Sequence, residues 1–311
     1  MSSLGGKPLY SSSFSVSTRS PDSSCVTSEE FVGATAQRAV DESLQLVGRE
    51  VPARSHEMLV DTDVTVVIAT INERRNLPKL LQEIDNSIYP LPNIVVVDDG
   101  STDGTREYLQ ELSRIRPGFQ AILNDQKGTI ARAHAQGFLA SRTPYVAFMD
   151  ADLQHPPELL VSMFARLRSG YDVAVGSRYL PGGSPGGRDP IRGVISRAAC
   201  LIAKAVLVNG RRLSDPISGF FAIRKDMFPA AKDLQRGYET LFYVLCSSNK
   251  PKIVEVPYSF RLRASGSSKV VRGLGFVPTF LSALINAKRY ESSHLRSRVA
   301  VFPLTGERNS D

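Results

Sequence analysis

Asp150 and Asp152, one residue apart, close the apolar run Tyr145–Met149, and Gln154 follows. Alternate residues of an extended chain face the same way, so both carboxylates can leave the strand end on one side. With the glutamine amide they form an oxygen-donor set of the kind that Mg²⁺ or Mn²⁺ prefers, with room for water and ligand phosphates. Two carboxylates this close repel one another unless they are exposed or share a cation. A divalent ion bridging a diphosphate suits them.

Two further polar clusters follow apolar runs: Asn72-Glu73 after Val64–Thr70, and Asp98-Asp99 after Asn93–Val97. Ligands of open parallel sheets bind at the carboxyl ends of the strands. Any one of these acids reads by itself as a cap or loop residue, whereas three clusters on one rim read as a site. Lys127 and Gly128, ahead of a helix at Ile130, bring positive charge and open backbone to the same rim. Basic groups mark a second place. Asp189-Pro190 signals a helix start, Arg192 and Ser196 lie four residues apart on that helix, Arg188 sits just outside it, and Arg178 arrives from a strand end. The guanidinium fork matches phosphate oxygens, so Arg178, Arg192 and Ser196 are expected to frame a second anion site. Arg197, Lys204, Arg211 and Arg212 read as the solvated or interfacial side of that helix.

The elements that must position these groups alternate. Strands are expected at Val64–Thr70, Asn93–Val97, Phe119–Leu123, Tyr145–Met149 and Val173–Gly176. Helices are expected after Asn76, after an Asp103 cap, at Ile130–Ala140 and at Pro156–Arg168. Such a series implies an α/β fold with a mainly parallel sheet covered on both faces. Beyond Tyr179 the pattern loosens into a Gly/Pro loop, a helix from Pro190 to Val208, a short segment at Phe220–Ile223 and a strand at Ile253–Pro257. This half reads as an acceptor-side elaboration of the same unit.

The chain has 311 residues, 42% hydrophobic, with 38 basic and 31 acidic side chains and a net charge of +7. That composition excludes collagen-like, coiled-coil and wholly disordered proteins. Cys25, Cys200 and Cys246 have neither disulfide-framework nor zinc spacing, which favours a reducing compartment. Residues 1–60 are Ser-rich, with 11 Ser up to Glu30. They are expected to be a disordered extension bearing at most a short helix at Ala34–Val47. The stretch Gly273–Ala287 lacks charge for 15 residues but contains Pro278, short of the roughly 20 apolar residues of a spanning helix. Scattered basic residues with no aromatic stacking motif argue against nucleic acid. Gly182-Gly183-Ser184-Pro185-Gly186 formally matches a hydrolase nucleophile elbow, but its Pro and Gly residues favour a loop.

The series Thr70-Ile71-Asn72-Glu73, Asp98-Asp99-Gly100-Ser101, Asp150-Ala151-Asp152-Leu153-Gln154-His155-Pro156 and Gly176-Ser177-Arg178-Tyr179 resembles the family 2 glycosyltransferases of the GT-A fold. Asp215-Pro216-Ile217-Ser218-Gly219-Phe220, Arg236-Gly237-Tyr238, Glu255-Val256-Pro257 and Gly266-Ser267-Ser268-Lys269 resemble the dolichol-phosphate or polyprenyl-phosphate mannose synthase branch. The resemblance covers about Val64 to Arg272. It implies transfer of a hexose, mannose favoured over glucose, from a nucleotide sugar, GDP-mannose favoured, to dolichyl or polyprenyl phosphate with inversion. It assigns Ala69, Ile71, Glu73, Val97, Asp99, Lys127, Asp150, Ala151, Asp152 and Gln154 to the donor, and Asp150, Asp152 and Gln154 to the metal. Arg178, Arg192, Ser196 and Lys269 fall to the acceptor phosphate, and Asp152, Arg178 and Asp215 to catalysis.

Ala69 and Ile71 stand where the family's first motif has Pro and Tyr, which leaves the nucleobase open. Asp215 is a base if the acceptor is a hydroxyl, as in a polysaccharide or small-molecule enzyme, and an organiser if it is a phosphate. A non-catalytic nucleotide-sugar sensor would need no acceptor cations. The expected organisation is an extension over 1–60, a GT-A catalytic domain over 61–272, and an apolar, basic helix and tail over 273–311. The expected location is cytoplasmic, peripheral on the cytosolic face of a membrane, with a small membrane protein as a further partner.

Overall fold

The computed structural model describes residues 62–186, 190–229, 240–248, 250–262 and 276–299. The N-terminal extension, Arg188, the Arg236-Gly237-Tyr238 motif and the Gly266–Lys269 motif lie outside the described residues, as does the side chain of Arg192.

Seven strands form one sheet: β1 (Val64–Thr70), β2 (Asn93–Asp99), β3 (Phe119–Asn124), β4 (Tyr145–Asp150), β5 (Val173–Ser177), β6 (Phe221–Arg224) and β7 (Ile253–Pro257). Their order is β3-β2-β1-β4-β6-β5-β7. All neighbours are parallel except that β6 runs antiparallel to both β4 and β5. The helices are α1 (Leu77–Ser87), α2 (Thr105–Ile115), α3 (Ile130–Ala140), α4 (Leu159–Arg168), α5 (Pro190–Val206), α6 (Thr240–Cys246) and α7 (Phe276–Val299). The expected parallel α/β sheet is present, and the second half joins it through β6 and β7.

The period-2 alternation of β1 sorts the core. Val64, Val66 and Ile68 pack with Leu77, Leu80 and Ile84 of α1 and Leu109 of α2, whereas Val67 faces Val95, Val97 and α3. Helix α3 lies close because Gly137 has no side chain: a Cβ there would stand 2.3 Å from Val67 Cγ1. Two expected helices differ at their ends. Pro156–Glu158 form a turn ahead of α4, and α5 stops at Val206 before a 3₁₀ turn at Asn209–Arg212. The turn is held by bonds from Leu159 N to Pro156 O and Leu160 N to Pro157 O.

Helix α7 contains the uncharged stretch and takes Pro278 in its first turn, where the missing amide is harmless. Phe280, Leu284 and Ala287 are buried with Ala199 and Ala203 of α5 and Phe242 of α6. Val277, Leu281 and Ile285 remain 42%, 41% and 51% exposed. The segment is therefore both a core-packing helix and the bearer of an exposed apolar row. No described helix is long and apolar enough to cross a membrane.

Candidate active site

The sheet register sets three of the expected donor residues abreast. Ala69 of β1 pairs laterally with Val97 of β2 and with Asp150 of β4. Just beyond them the loops after β1 and β2 are knitted together. Asn72 accepts from the Thr102 amide at 2.7 Å, and its own amide donates to Ser101 Oγ at 2.7 Å. The Glu73 amide donates to Thr105 Oγ1 at 3.1 Å and the Arg74 amide to Asp103 at 3.1 Å. The N-cap of α2 is the left-handed Gly104 and not the expected Asp103, which lies one position outside and accepts from the Thr105 amide, two residues on. Glu73 is buried and accepts from Asn76 Nδ2 at 2.5 Å.

The adjacent acids Asp98 and Asp99 part company, as neighbours on a strand must. Asp98 is fully buried, accepts from the Ser101 amide and hydroxyl, and faces Arg106. Asp99 turns to Asn124 Nδ2 at 2.8 Å and to the Gly128 amide. Burial pushes its carboxyl above the usual value against the pull of Asn124, Gly128 and Arg132. A Cβ at Gly128 would stand 3.2 Å from both Asp99 Oδ2 and Arg132 Cδ, so a side chain there would have to displace one of them. Lys127 is exposed in this loop. The Asn124 amide is fixed by Gln136, with Asn124 Nδ2 to Gln136 Oε1 at 2.8 Å and Gln136 Nε2 back to Asn124 Oδ1 at 3.0 Å.

Asp150, Ala151, Asp152 and Gln154 share one turn. The Gln154 amide donates to Asp152 Oδ1 at 3.1 Å, and Gln154 Nε2 donates to the Arg261 carbonyl at 3.1 Å, which leaves its amide oxygen as the acceptor. His155, stacked on Phe220 with centroids 4.9 Å apart, accepts from the Asp150 amide at 3.2 Å. Among the described residues, the non-glycine positions with left-handed backbone are Asn72 (φ 51°) and Leu153 (φ 64°), in the loops after β1 and β4. The donor chemistry of two carboxylates and an amide oxygen fits a hard divalent ion. Among the described residues no three His, Cys, Asp or Glu side chains converge to hold a metal. A cation here would have to draw on the amide oxygen, water and ligand phosphates besides the two carboxylates.

On the other side of β4, Arg178 leaves the end of β5. Its Nε and Nη2 donate to Asp215 at 2.6 and 2.8 Å, and its amide donates to the same carboxylate at 3.1 Å. Asp215 is completely buried, and Arg178 is 6% exposed. Burial opposes the guanidinium charge, but the bonds and charge of Asp215 outweigh it and hold the pKa above its ordinary value. Cys200 Sγ lies 3.7 Å from Asp215, and its thiol is pushed up to about 12, by burial first and then by that carboxylate. Ser196 receives the Tyr179 hydroxyl at 2.9 Å, so α5 is bonded directly beside Arg178. The Ser184 loop is no nucleophile elbow: Ser184 bridges Ser259, its amide donating to Tyr258 O and its carbonyl receiving the Phe260 amide.

Sequence reasoning left Asn124, Gln136, Arg261 and Glu255 without roles. Each has a partner far along the chain that no spacing announces.

A family model described as glycosyl transferase family 2 matches residues 65–230. The chain belongs to glycosyl transferase family 2. Among relatives of this family, a dolichol-phosphate mannosyltransferase of Pyrococcus furiosus is 39% identical over 208 residues, 67% of this chain and 59% of the relative. A polyprenol monophosphomannose synthase of Mycolicibacterium smegmatis is 33% identical over 66% of this chain and 80% of the relative. The chain thus spans less than two thirds of the archaeal protein's length. A glucosyl-3-phosphoglycerate synthase of Mycobacterium tuberculosis, solved with Mn²⁺, uridine diphosphate and glucosyl-3-phosphoglycerate, superposes with a TM-score of 0.50 at 18% identity. It covers 78% of this chain and 82% of its own, which supports the GT-A fold.

Proposed function

We propose that this family 2 enzyme transfers mannose from GDP-mannose to a dolichyl or polyprenyl phosphate, with inversion, in a catalytic unit over residues 61–272. One observation carries the acceptor class: Asp215 is buried with both oxygens on Arg178. Freeing it as a base would break a buried ion pair, which costs about 3–5 kcal/mol. A hydroxyl acceptor needs such a base. A phosphate monoester, with its second pKa near 6, is already anionic at neutral pH and needs only to be bound and aimed. The names of the mannosyltransferase relatives point the same way.

In this reading Glu73, Asp99 and the strand-end row Ala69–Val97 hold the nucleoside, with Ile71 and Lys127 at the edge. Asp150, Asp152 and Gln154 would hold Mg²⁺ or Mn²⁺, which when bound supplies positive charge to the leaving diphosphate. Arg178, Arg192, Ser196 and Lys269 bind the acceptor phosphate and orient its attacking oxygen. Asp215 positions Arg178.

The enzyme meets its lipid at the cytosolic face of a membrane. Val194 and Leu201 of α5 are 69% and 67% exposed, and a groove of about 610 Å³ between α5 and α7 is lined by Ile202, Val206, Leu281 and Ile285 with Lys288 and Arg289. An apolar surface with basic neighbours suits an interface of anionic headgroups, and a small membrane protein can share the task.

The test is an assay of the purified chain with labelled GDP-mannose, UDP-glucose and UDP-galactose, each with a polyprenyl phosphate and with a free sugar acceptor. Organic-soluble mannosyl product is expected. Label confined to the sugar acceptor would overturn the reading.

A further inference from the structure

Glu255 lies on β7, in register with Val175 of β5, two residues before the strand end that releases Arg178. Its carboxylate spans two consecutive amides: Oε2 accepts from Ser214 N at 2.7 Å and Oε1 from Asp215 N at 2.9 Å. The residue so gripped is the one whose side chain takes Nε and Nη2 of Arg178. A sheet carboxylate thus fixes a loop, the loop aims a second carboxylate, and the second carboxylate sets the plane of a guanidinium whose Nη1 Asp215 does not engage. Rotating or withdrawing Asp215 by a few tenths of an ångström would turn Nη1 as well, because a fork held at two points moves as a rigid plane.

We infer that Glu255 is a positioning residue for the acceptor anion, acting through Asp215 and Arg178. This rests on the reading of Arg178 as an acceptor-phosphate group. A glutamine at 255 keeps the size but replaces one acceptor with a donor facing an amide, so one of the two grips is lost and Asp215 loosens. Hydrogen bonds to charged groups carry enough energy for about a tenfold to hundredfold effect.

Glu255→Gln should therefore raise the KM for polyprenyl phosphate by about tenfold or more. GDP binding, measured by calorimetry in the presence of Mg²⁺, should stay within about twofold. Glu255→Asp, which keeps both acceptors on a shorter arm, should recover part of the loss. Combining Glu255→Gln with Arg178→Ala should add little to Arg178→Ala alone, because both act through one guanidinium. Equal loss of GDP affinity and acceptor KM in Glu255→Gln, with a lowered Tm, would reduce Glu255 to a fold-supporting residue and overturn the inference. An unchanged acceptor KM would do the same. The two readings separate on Arg178→Ala: if that variant keeps its acceptor KM, the phosphate-binding reading fails with it; if it loses acceptor use while Glu255→Gln does not, only the positioning role fails.

Discussion

In the loops after β1 and β2, position is held by many bonds of ordinary strength. Asn72, Glu73 and Arg74 are tied to Ser101, Thr102, Asp103 and Thr105, and Asp99 is held by Asn124 and Gly128. At the end of β5, position hangs on one buried ion pair, Arg178 with Asp215, anchored by Glu255. The first arrangement fails gradually, since the loss of one bond leaves its neighbours in register. The second fails at once, because removing either member strands a charge in the interior.

This contrast can be tested in order of expected effect. Asp152→Ala should lower turnover by about a thousandfold or more, as loss of a metal-held diphosphate demands, while leaving the thermal melt nearly unchanged; full activity of this variant in chelator would remove the cation from the account. Arg178→Ala should lower unfolding stability by about 3–5 kcal/mol in urea titration. Asn124→Ala on the donor side should lose about 1–2 kcal/mol, and equal losses in the two variants would erase the contrast.

A third test concerns His134 beneath the sheet, packed on Phe148 and Phe221 with Nδ1 on Thr240 Oγ1 at 2.9 Å. Burial lowers its pKa to about 3 from 6.5. Between those values the unfolded chain binds a proton that the folded chain refuses, so stability is full above pH 6.5 and falls as pH drops. The slope contributed is up to about 1.4 kcal/mol per pH unit, and His134→Gln should flatten that part of the profile in denaturant titrations from pH 7 to 4. The smallest effect on stability, within about 0.5 kcal/mol, is expected of Leu281→Gln with Ile285→Gln on the exposed row of α7, yet flotation with anionic liposomes should drop sharply. Unchanged flotation would move the membrane contact elsewhere.

Much of the fold was legible because it is periodic. The Val/Ile runs of β1, β2 and β4 and the Leu77, Leu80, Leu81, Ile84 stripe of α1 sort residues by face within a few positions. The rim acids were legible because each ends such a run. The pairings were not. Arg178 and Asp215 are 37 residues apart, Gln154 and Arg261 107 apart, and nothing local in either partner records the other. Period alone would separate Asp98 from Asp99 but not say which turns to Arg106 and which to Asn124; that depends on where α2 and β3 come to rest.

The antiparallel β6 has a consequence for how such enzymes diversify. Chain leaves β5 at Arg178, makes the whole excursion through α5, and rejoins the sheet beside its point of departure, where Gly176 N meets Phe220 O at 2.8 Å. An insert whose two ends meet on neighbouring strands adds chain without spreading them apart, and the register of β1, β2 and β4 does not depend on its length. Such an excursion can vary while the row Ala69, Val97 and Asp150 stays abreast.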